Sequence, residues 1–266
     1  MKKILIVCDV FPPQYGPRMG ALCKYINLFG WKPFVLSSYL NIPDVDKNYS
    51  YLENYAEVKI IKISNNEQQK YLQEHRSSLF KKAMAFFFFF YYRPPGVNEK
   101  MYLEGTNILK NQNIDVILSS TYTLTPLGVA NRLSEKFDIP WIADLRDISE
   151  QYGKIDLPFR EWMAMQRIKA RRNYLLRRAA AVVSVSPWHV DFLKKINPNS
   201  YLIYNGFDPD LFKFCPPRKT PKFYISYPGA LLKHSGDLSL LFNALALLKR
   251  DGIISPENFQ LVIYSA

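Results

Sequence analysis

The sequence predicts an α/β chain in which a doubly wound parallel sheet with helices on both faces is followed by the start of a second unit of the same kind. Two observations carry this. Short apolar runs rich in β-branched residues alternate with longer amphipathic stretches, the pattern of βαβ units. After a cluster of turn-forming residues, the same pattern begins again.

The first run, Ile4 to Cys8, stops at Asp9 and reads as a buried strand. Met1-Lys2-Lys3 ahead of it imitates a signal peptide, but the interruption at Asp9 and the lack of a small-residue cleavage site argue otherwise. Further strands are expected at Phe34 to Ser37, Val58 to Ile63, Val116 to Ser119, Trp141 to Asp144, Ala181 to Val185 and Tyr201 to Ile203. Helices are expected at Gly20 to Phe29, Glu99 to Lys110, Pro126 to Phe137, Arg160 to Arg178 and Pro187 to Lys195. Order and spacing make residues 1–204 one Rossmann-like domain. Asn205-Gly206-Phe207-Asp208-Pro209 and the proline-bearing stretch to residue 222 form a linker. A second Rossmann-like domain opens at residue 223 with a strand from Phe223 to Tyr227, a helix from Leu238 to Arg250 and a strand from Phe259 to Tyr264. It is expected to be truncated at residue 266 and, because two strands and one helix cannot bury both sheet faces, to be unstable alone.

Composition bounds the partners. The 266 residues are long for one compact domain and short for two full ones. Thirty-five Lys and Arg against 23 Asp and Glu give a formal charge of +12, which favours anionic partners. The three cysteines, Cys8, Cys23 and Cys215, form no CxxC pair, which argues against a disulfide framework or a zinc site and fits a reducing cytoplasm. His75, His189 and His234 lack metal-ligand spacing and are expected to be surface or core histidines. The longest apolar run, Ala83 to Tyr92, is about half the ~20 residues a spanning helix needs.

Three places could carry chemistry. The loop from Pro12 through Gly16 and Arg18 to Gly20 sits between the first strand and its helix, where doubly wound folds bind ligands; an ordinary turn is the competing reading. Asp144-Leu145-Arg146-Asp147 runs a strand into two carboxylates around a guanidinium. One carboxylate could hold Arg146 while the other faces a substrate hydroxyl, or the group could be a structural ion-pair cluster. Ser119 to Thr123 supplies hydroxyls suited above all to capping the next helix. A membrane contact is drawn from Phe86, Phe87, Phe88, Phe89 and Phe90, flanked by Lys81, Lys82 and Arg93, together with the basic helix at Arg160 to Arg178. A buried core helix competes for the phenylalanine run.

Taken in order, five segments match one family: Ile4 to Val7 leading to Phe11-Pro12-Pro13 and the Gly16 to Gly20 loop, Ile139 to Asp147, Val183 to Ser186, Ile203 to Asp208, and Tyr227 to Leu231. The chain resembles the retaining glycosyltransferases of family 4, in particular the bacterial branch that builds cell-surface polysaccharides. The resemblance implies the two-domain GT-B architecture, with the acceptor on the amino-terminal domain and the nucleotide-sugar on the carboxyl-terminal one. It implies that Gly16, Arg18, Gly20 and Gly229 line the donor phosphates, with Ala230 where many relatives have arginine, and that Asn205 and Gly206 form the interdomain hinge. Arg146 stands where many members carry a histidine. The family's paired glutamates lie farther along than this chain reaches, so its turnover alone is expected to be very weak or absent.

The resulting expectation is a glycosyltransferase that moves a sugar, with retention, from a nucleotide-sugar to a glycan or lipid-linked acceptor. The catalytic candidates are Asp147, Asp144 and Arg146. No cofactor or metal is called for. The expected location is the cytoplasm, with the inner face of an anionic plasma membrane as a further contact. Two alternatives stay open: a non-catalytic basic membrane-surface module and a nucleotide-sugar epimerase of the same architecture. Nucleic-acid binding ranks last, since the basic residues accompany no recognition motif.

Overall fold

The computed structural model describes residues 1–13, 17–38, 47–61, 95–120, 123–152, 158–210, 214–216, 219–228 and 237–264. The chain divides into two compact units, residues 1–208 and 209–266.

The first unit is built on a seven-stranded parallel sheet. Its elements are β1 (Lys2–Cys8), α1 (Pro17–Ile26), β2 (Trp31–Ser38), β3 (Glu57–Ile61), α2 (Pro95–Asn111), β4 (Val116–Ser120), α3 (Leu124–Phe137), β5 (Trp141–Leu145), α4 (Phe159–Leu176), β6 (Ala181–Ser184), α5 (Pro187–Lys194) and β7 (Ser200–Leu202). The strand order β3-β2-β1-β4-β5-β6-β7 reverses between β1 and β4, the switch point at which such sheets open a crevice at their carboxyl edge. All seven expected strands form, with ends shifted by a few residues. The last residues of the expected Val58 to Ile63 run lie outside the described ones.

Period-two alternation explains why β1 is apolar from Ile4 to Cys8. Leu5 and Val7 point into one buried cluster with Phe34, Leu36, Ile117 and Trp141, whereas Ile4, Ile6 and Cys8 point into another with Phe11, Met19, Cys23 and Val35. Both sheet faces are therefore covered from Ile4 to Cys8, while Lys2 at the strand's start is exposed. A 3-10 helix over Lys47–Tyr55, which the apolar pattern did not signal, packs against α1. Its Leu52 explains Gly20: a Cβ there would lie 2.8 Å from the Cβ of Leu52 and 2.8 Å from Pro12 Cγ.

In the second unit β8 (Phe223–Tyr227) and β9 (Phe259–Ile263) pair in parallel across the helix α6 (Ser239–Arg250). Phe223 stacks on Phe259 with centroids 6.2 Å apart. No residue of α6 is buried, and Leu240 and Leu247 face outward.

Candidate functional site

The strands of the first unit end in register along one edge: Cys8 lies opposite Ser120, Ser120 opposite Asp144, and Leu145 opposite Ser184. Polar side chains at these positions therefore share the crevice that opens at the switch point.

Arg18, in the first turn of α1, is the hub of that edge. Its Nη2 donates to Asp144 Oδ1 at 2.8 Å and its Nε to Oδ2 at 3.2 Å, a fork on one carboxylate. Nη1 donates to Asn205 Oδ1 at 2.8 Å. Ser120 Oγ adds a third hydrogen bond to Asp144 at 3.0 Å. Asp144 is only 3% exposed, so its charge is tolerable because a guanidinium and a hydroxyl replace the lost water. The partner that holds Asp144 thus comes from α1, not from the adjacent sequence.

Asp147 lies beyond the end of β5 and is exposed. Gln151 Nε2 donates to its Oδ1 at 3.1 Å, while the second oxygen accepts no hydrogen bond among the described residues. Arg146, between the two aspartates, is half-buried. The segment therefore separates one engaged, buried carboxylate from one presented to solvent.

Asp9, at the end of β1, accepts from the backbone N–H of Thr123 at 2.7 Å and from its hydroxyl at 2.8 Å. The same hydroxyl accepts from the Thr125 N–H, so Thr123 caps α3. The capping role expected for this hydroxyl cluster falls to Thr123, and Ser120 instead serves Asp144.

Three further groups emerge that local sequence did not mark. The Asp208 carboxylate accepts from Lys24 Nζ at 2.9 and 3.0 Å, from the Tyr25 hydroxyl at 2.8 Å and from the Tyr51 hydroxyl. Burial first, then the hydrogen bond to Asp208, raises the Tyr51 phenol above its ordinary 10.0; for Tyr25 the hydrogen bond to Asp208 comes first. Glu150 takes a bidentate fork from Arg172 at 2.8 and 2.9 Å. Burial works to raise the Glu150 pKa, but the hydrogen bond and charge of Arg172 outweigh it and leave it below 4.5. Finally, Ser184 Oγ donates to the Leu145 carbonyl at 2.6 Å and lies 3.2 Å from Nδ1 of buried His189. With the hydroxyl proton committed to Leu145, the Nδ1 proton must belong to His189.

Of the remaining sequence candidates, Gly20 is buried in α1, and Asn205 and Gly206 sit at the end of the first unit, Asn205 on Arg18. Gly16, Gly229, Lys81, Lys82, Phe86 to Phe90 and Arg93 lie outside the described residues. Cys8 and Cys23 are buried free thiols and Cys215 is an exposed one. Among the described residues no helix is long and apolar enough to cross a membrane.

No protein-family model and no curated protein matches the sequence. Solved structures do match its fold. Anabaena HepE (Alr3699) in complex with UDP and glucose superposes with a TM-score of 0.53 at 14% identity, over 100% of this chain and 70% of that one. The sucrose-phosphate synthase of Thermosynechococcus elongatus gives 0.53 at 12% identity, over 98% and 70%. The lipopolysaccharide outer core galactosyltransferase WaaB in its apo form gives 0.51 at 13%, over 98% and 60%. The fold is that of GT-B glycosyltransferases, with a Rossmann-like parallel sheet in the larger unit.

Proposed function

We propose that this chain is the acceptor-side part of a nucleotide-sugar-dependent glycosyltransferase of the retaining family 4 type, acting in bacterial cell-surface polysaccharide synthesis. The observation that carries the reading is the contrast between two carboxylates at one sheet edge. Asp144 is buried and forked by Arg18, while exposed Asp147, just past the same strand, keeps one oxygen unengaged among the described residues. HepE, which shares this fold, was solved with UDP and glucose.

In this reading an acceptor hydroxyl, on a glycan or a lipid-linked saccharide, donates its hydrogen bond to Asp147. The acceptor oxygen then bonds to the anomeric carbon of the donor sugar from the face that the diphosphate leaves. The bond from that carbon to the phosphate oxygen breaks, and the hydroxyl proton passes to Asp147. Asp144 is poorly suited to that role, because its lone pairs already serve Arg18 and Ser120. Stabilising the departing nucleoside diphosphate is the largest electrostatic demand of the step, and the net positive charge of the chain supports it.

The test is sugar transfer by the native gene product, supplied with labelled UDP-sugars and lipid-linked acceptors. Asp147→Asn is expected to lower turnover about 100-fold or more while donor binding holds. Unchanged turnover would remove Asp147 from the mechanism. Interconversion of the nucleotide-sugar without transfer would instead establish the epimerase alternative.

A further inference from the structure

The residues that follow β5 form a relay with no part yet in the chemistry above. Past Leu145 the chain turns back at once: Ile148 is buried in the core cluster, and its carbonyl accepts from the Gln151 N–H at 3.1 Å, within a 3-10 turn over Ser149–Tyr152. Successive side chains of such a turn leave about 120° apart, so Glu150 and Gln151 face different neighbours. Glu150 faces α4, where Arg172 forks its two oxygens at 2.8 and 2.9 Å and Lys169 Nζ lies 3.9 Å away. The Arg172 guanidinium is itself fixed: Nε and Nη2 donate to Asn173 Oδ1 at 3.1 and 2.9 Å, and the Phe192 ring of α5 lies 6.0 Å away. Gln151 faces back along the chain, and its Nε2 donates to Asp147 Oδ1 at 3.1 Å.

We infer that Gln151 is a positioning residue for the transfer, fixing the Asp147 carboxylate so that its second oxygen meets the acceptor hydroxyl, and that the Glu150–Arg172 fork sets the direction from which Gln151 does so. The inference rests on Asp147 receiving the acceptor proton, as proposed above. An exposed carboxylate turns readily about its last bond, and a proton acceptor works best when held in one orientation toward the reacting hydroxyl. The Gln151 amide holds one oxygen without bringing a countercharge, whereas the guanidinium on Asp144 occupies both oxygens. The fork behind Gln151 is a costly way to attach a turn. Its side chains are 7% and 16% exposed, and two apolar residues of similar volume would hold the turn to α4 about as well. What the fork adds is a planar, two-bond geometry that fixes how the turn sits on α4, and hence where Gln151 points.

The test is sugar transfer by the native gene product from labelled UDP-sugars to lipid-linked acceptors, with kcat and KM read separately. Gln151→Leu should lower kcat about tenfold while the KM for the UDP-sugar and the thermal midpoint hold. Added to Asp147→Asn, the same substitution should cost nothing further, because the carboxylate it positions is gone. Arg172→Gln should lower kcat by a similar factor, with the amides of residues 148–152 exchanging hydrogen at least tenfold faster and those of β5 unchanged. Where Arg172→Gln fails to fold, Gln151→Leu and its combination with Asp147→Asn decide alone, since Gln151 is only half-buried. Normal kcat in Gln151→Leu beside an impaired Asp147→Asn overturns the inference and leaves the transferase reading standing. Losses that multiply in the combined variant, or a loss carried by KM, do the same, and full kcat in a folded Arg172→Gln removes the part given to the fork. Normal turnover in Asp147→Asn, or no transfer by wild type, removes the reading and the inference together.

Discussion

Replacing Arg18 by alanine should destabilise the larger unit by about 3 kcal/mol. The guanidinium supplies two of the three hydrogen bonds on Asp144, a carboxylate 3% exposed, and Ser120 alone cannot replace it. Breaking a buried pair from one side typically costs about 3–5 kcal/mol. Arg18 itself is 16% exposed, so water can enter the truncated site, which places the expectation at the lower end. Loss of the hydrogen bond to Asn205 adds a smaller amount. Urea unfolding followed by far-UV circular dichroism reads this directly, and at an m-value of about 2 kcal/mol/M the midpoint falls by about 1.5 M. Arg18→Met with Asp144→Leu removes both charges together and should recover most of the loss. A penalty below about 1 kcal/mol for the single variant, or no recovery in the double, would refute the view of Asp144 as a buried charge dependent on Arg18.

Three other outcomes follow from the packing and titration of the same unit. Gly20→Ala should cost about 1–3 kcal/mol despite the helix propensity gained, because the Leu52 Cβ at 2.8 Å is tied to its backbone; Gly105→Ala, whose nearest obstacle is the Leu133 Cδ1 methyl at 2.6 Å, should cost less, and thermal melts of the pair decide the order. Tyr51 holds its proton more tightly folded than unfolded, so its contribution is whole below pH 10.0 and is lost as pH rises toward the folded value; melts of Tyr51→Phe should therefore fall less steeply in alkali than those of wild type, and parallel curves would count against the Asp208 contact. Burial pushes the Cys8 thiol up to about 12 and also raises Cys23, so a thiol reagent should modify Cys215 quickly and the other two only on unfolding, whereas fast labelling of two or three thiols would contradict the packing of β1 on α1.

Much of the fold was legible because hydrophobic patterning is local. β1 and β2 are buried on both faces, so their apolar runs stand out from the polar turns around them. The 3-10 helix at Lys47–Tyr55 was not legible, since its polar and tyrosine-rich sequence shows no helical stripe and Leu52 is its buried apolar anchor. The site divides the same way. The proposal that it lies at Asp144 to Asp147 draws on a strand running into charges, a signal contained in a few residues. The partner of Asp144 left no such signal, because Arg18 lies 126 residues away, and only the placement of β1 and β4 side by side brings α1 to that carboxylate. Asp208 and Tyr51, 157 residues apart, are a second case. Long-range polar pairs are products of topology, and one sequence carries no local trace of them.

That topology also ties the proposed hinge to the proposed acceptor site. Arg18 grips Asn205 with one nitrogen and Asp144 with two others, while Lys24, farther along the same helix, grips Asp208. Gly206, between the two gripped residues, has open space where a side chain would stand. Asn205 and Asp208 flank Gly206 and both belong to the first unit, so these contacts resist bending of the backbone at Gly206. Without the Asn205 contact, Nη1 of Arg18 would keep only the longer contact to the Tyr204 carbonyl at 3.5 Å, while the fork on Asp144 holds the guanidinium plane. Arg18 is thus the one side chain shared by the Asp144 carboxylate and the chain at Asn205, and Lys24 holds Asp208 two residues past Gly206.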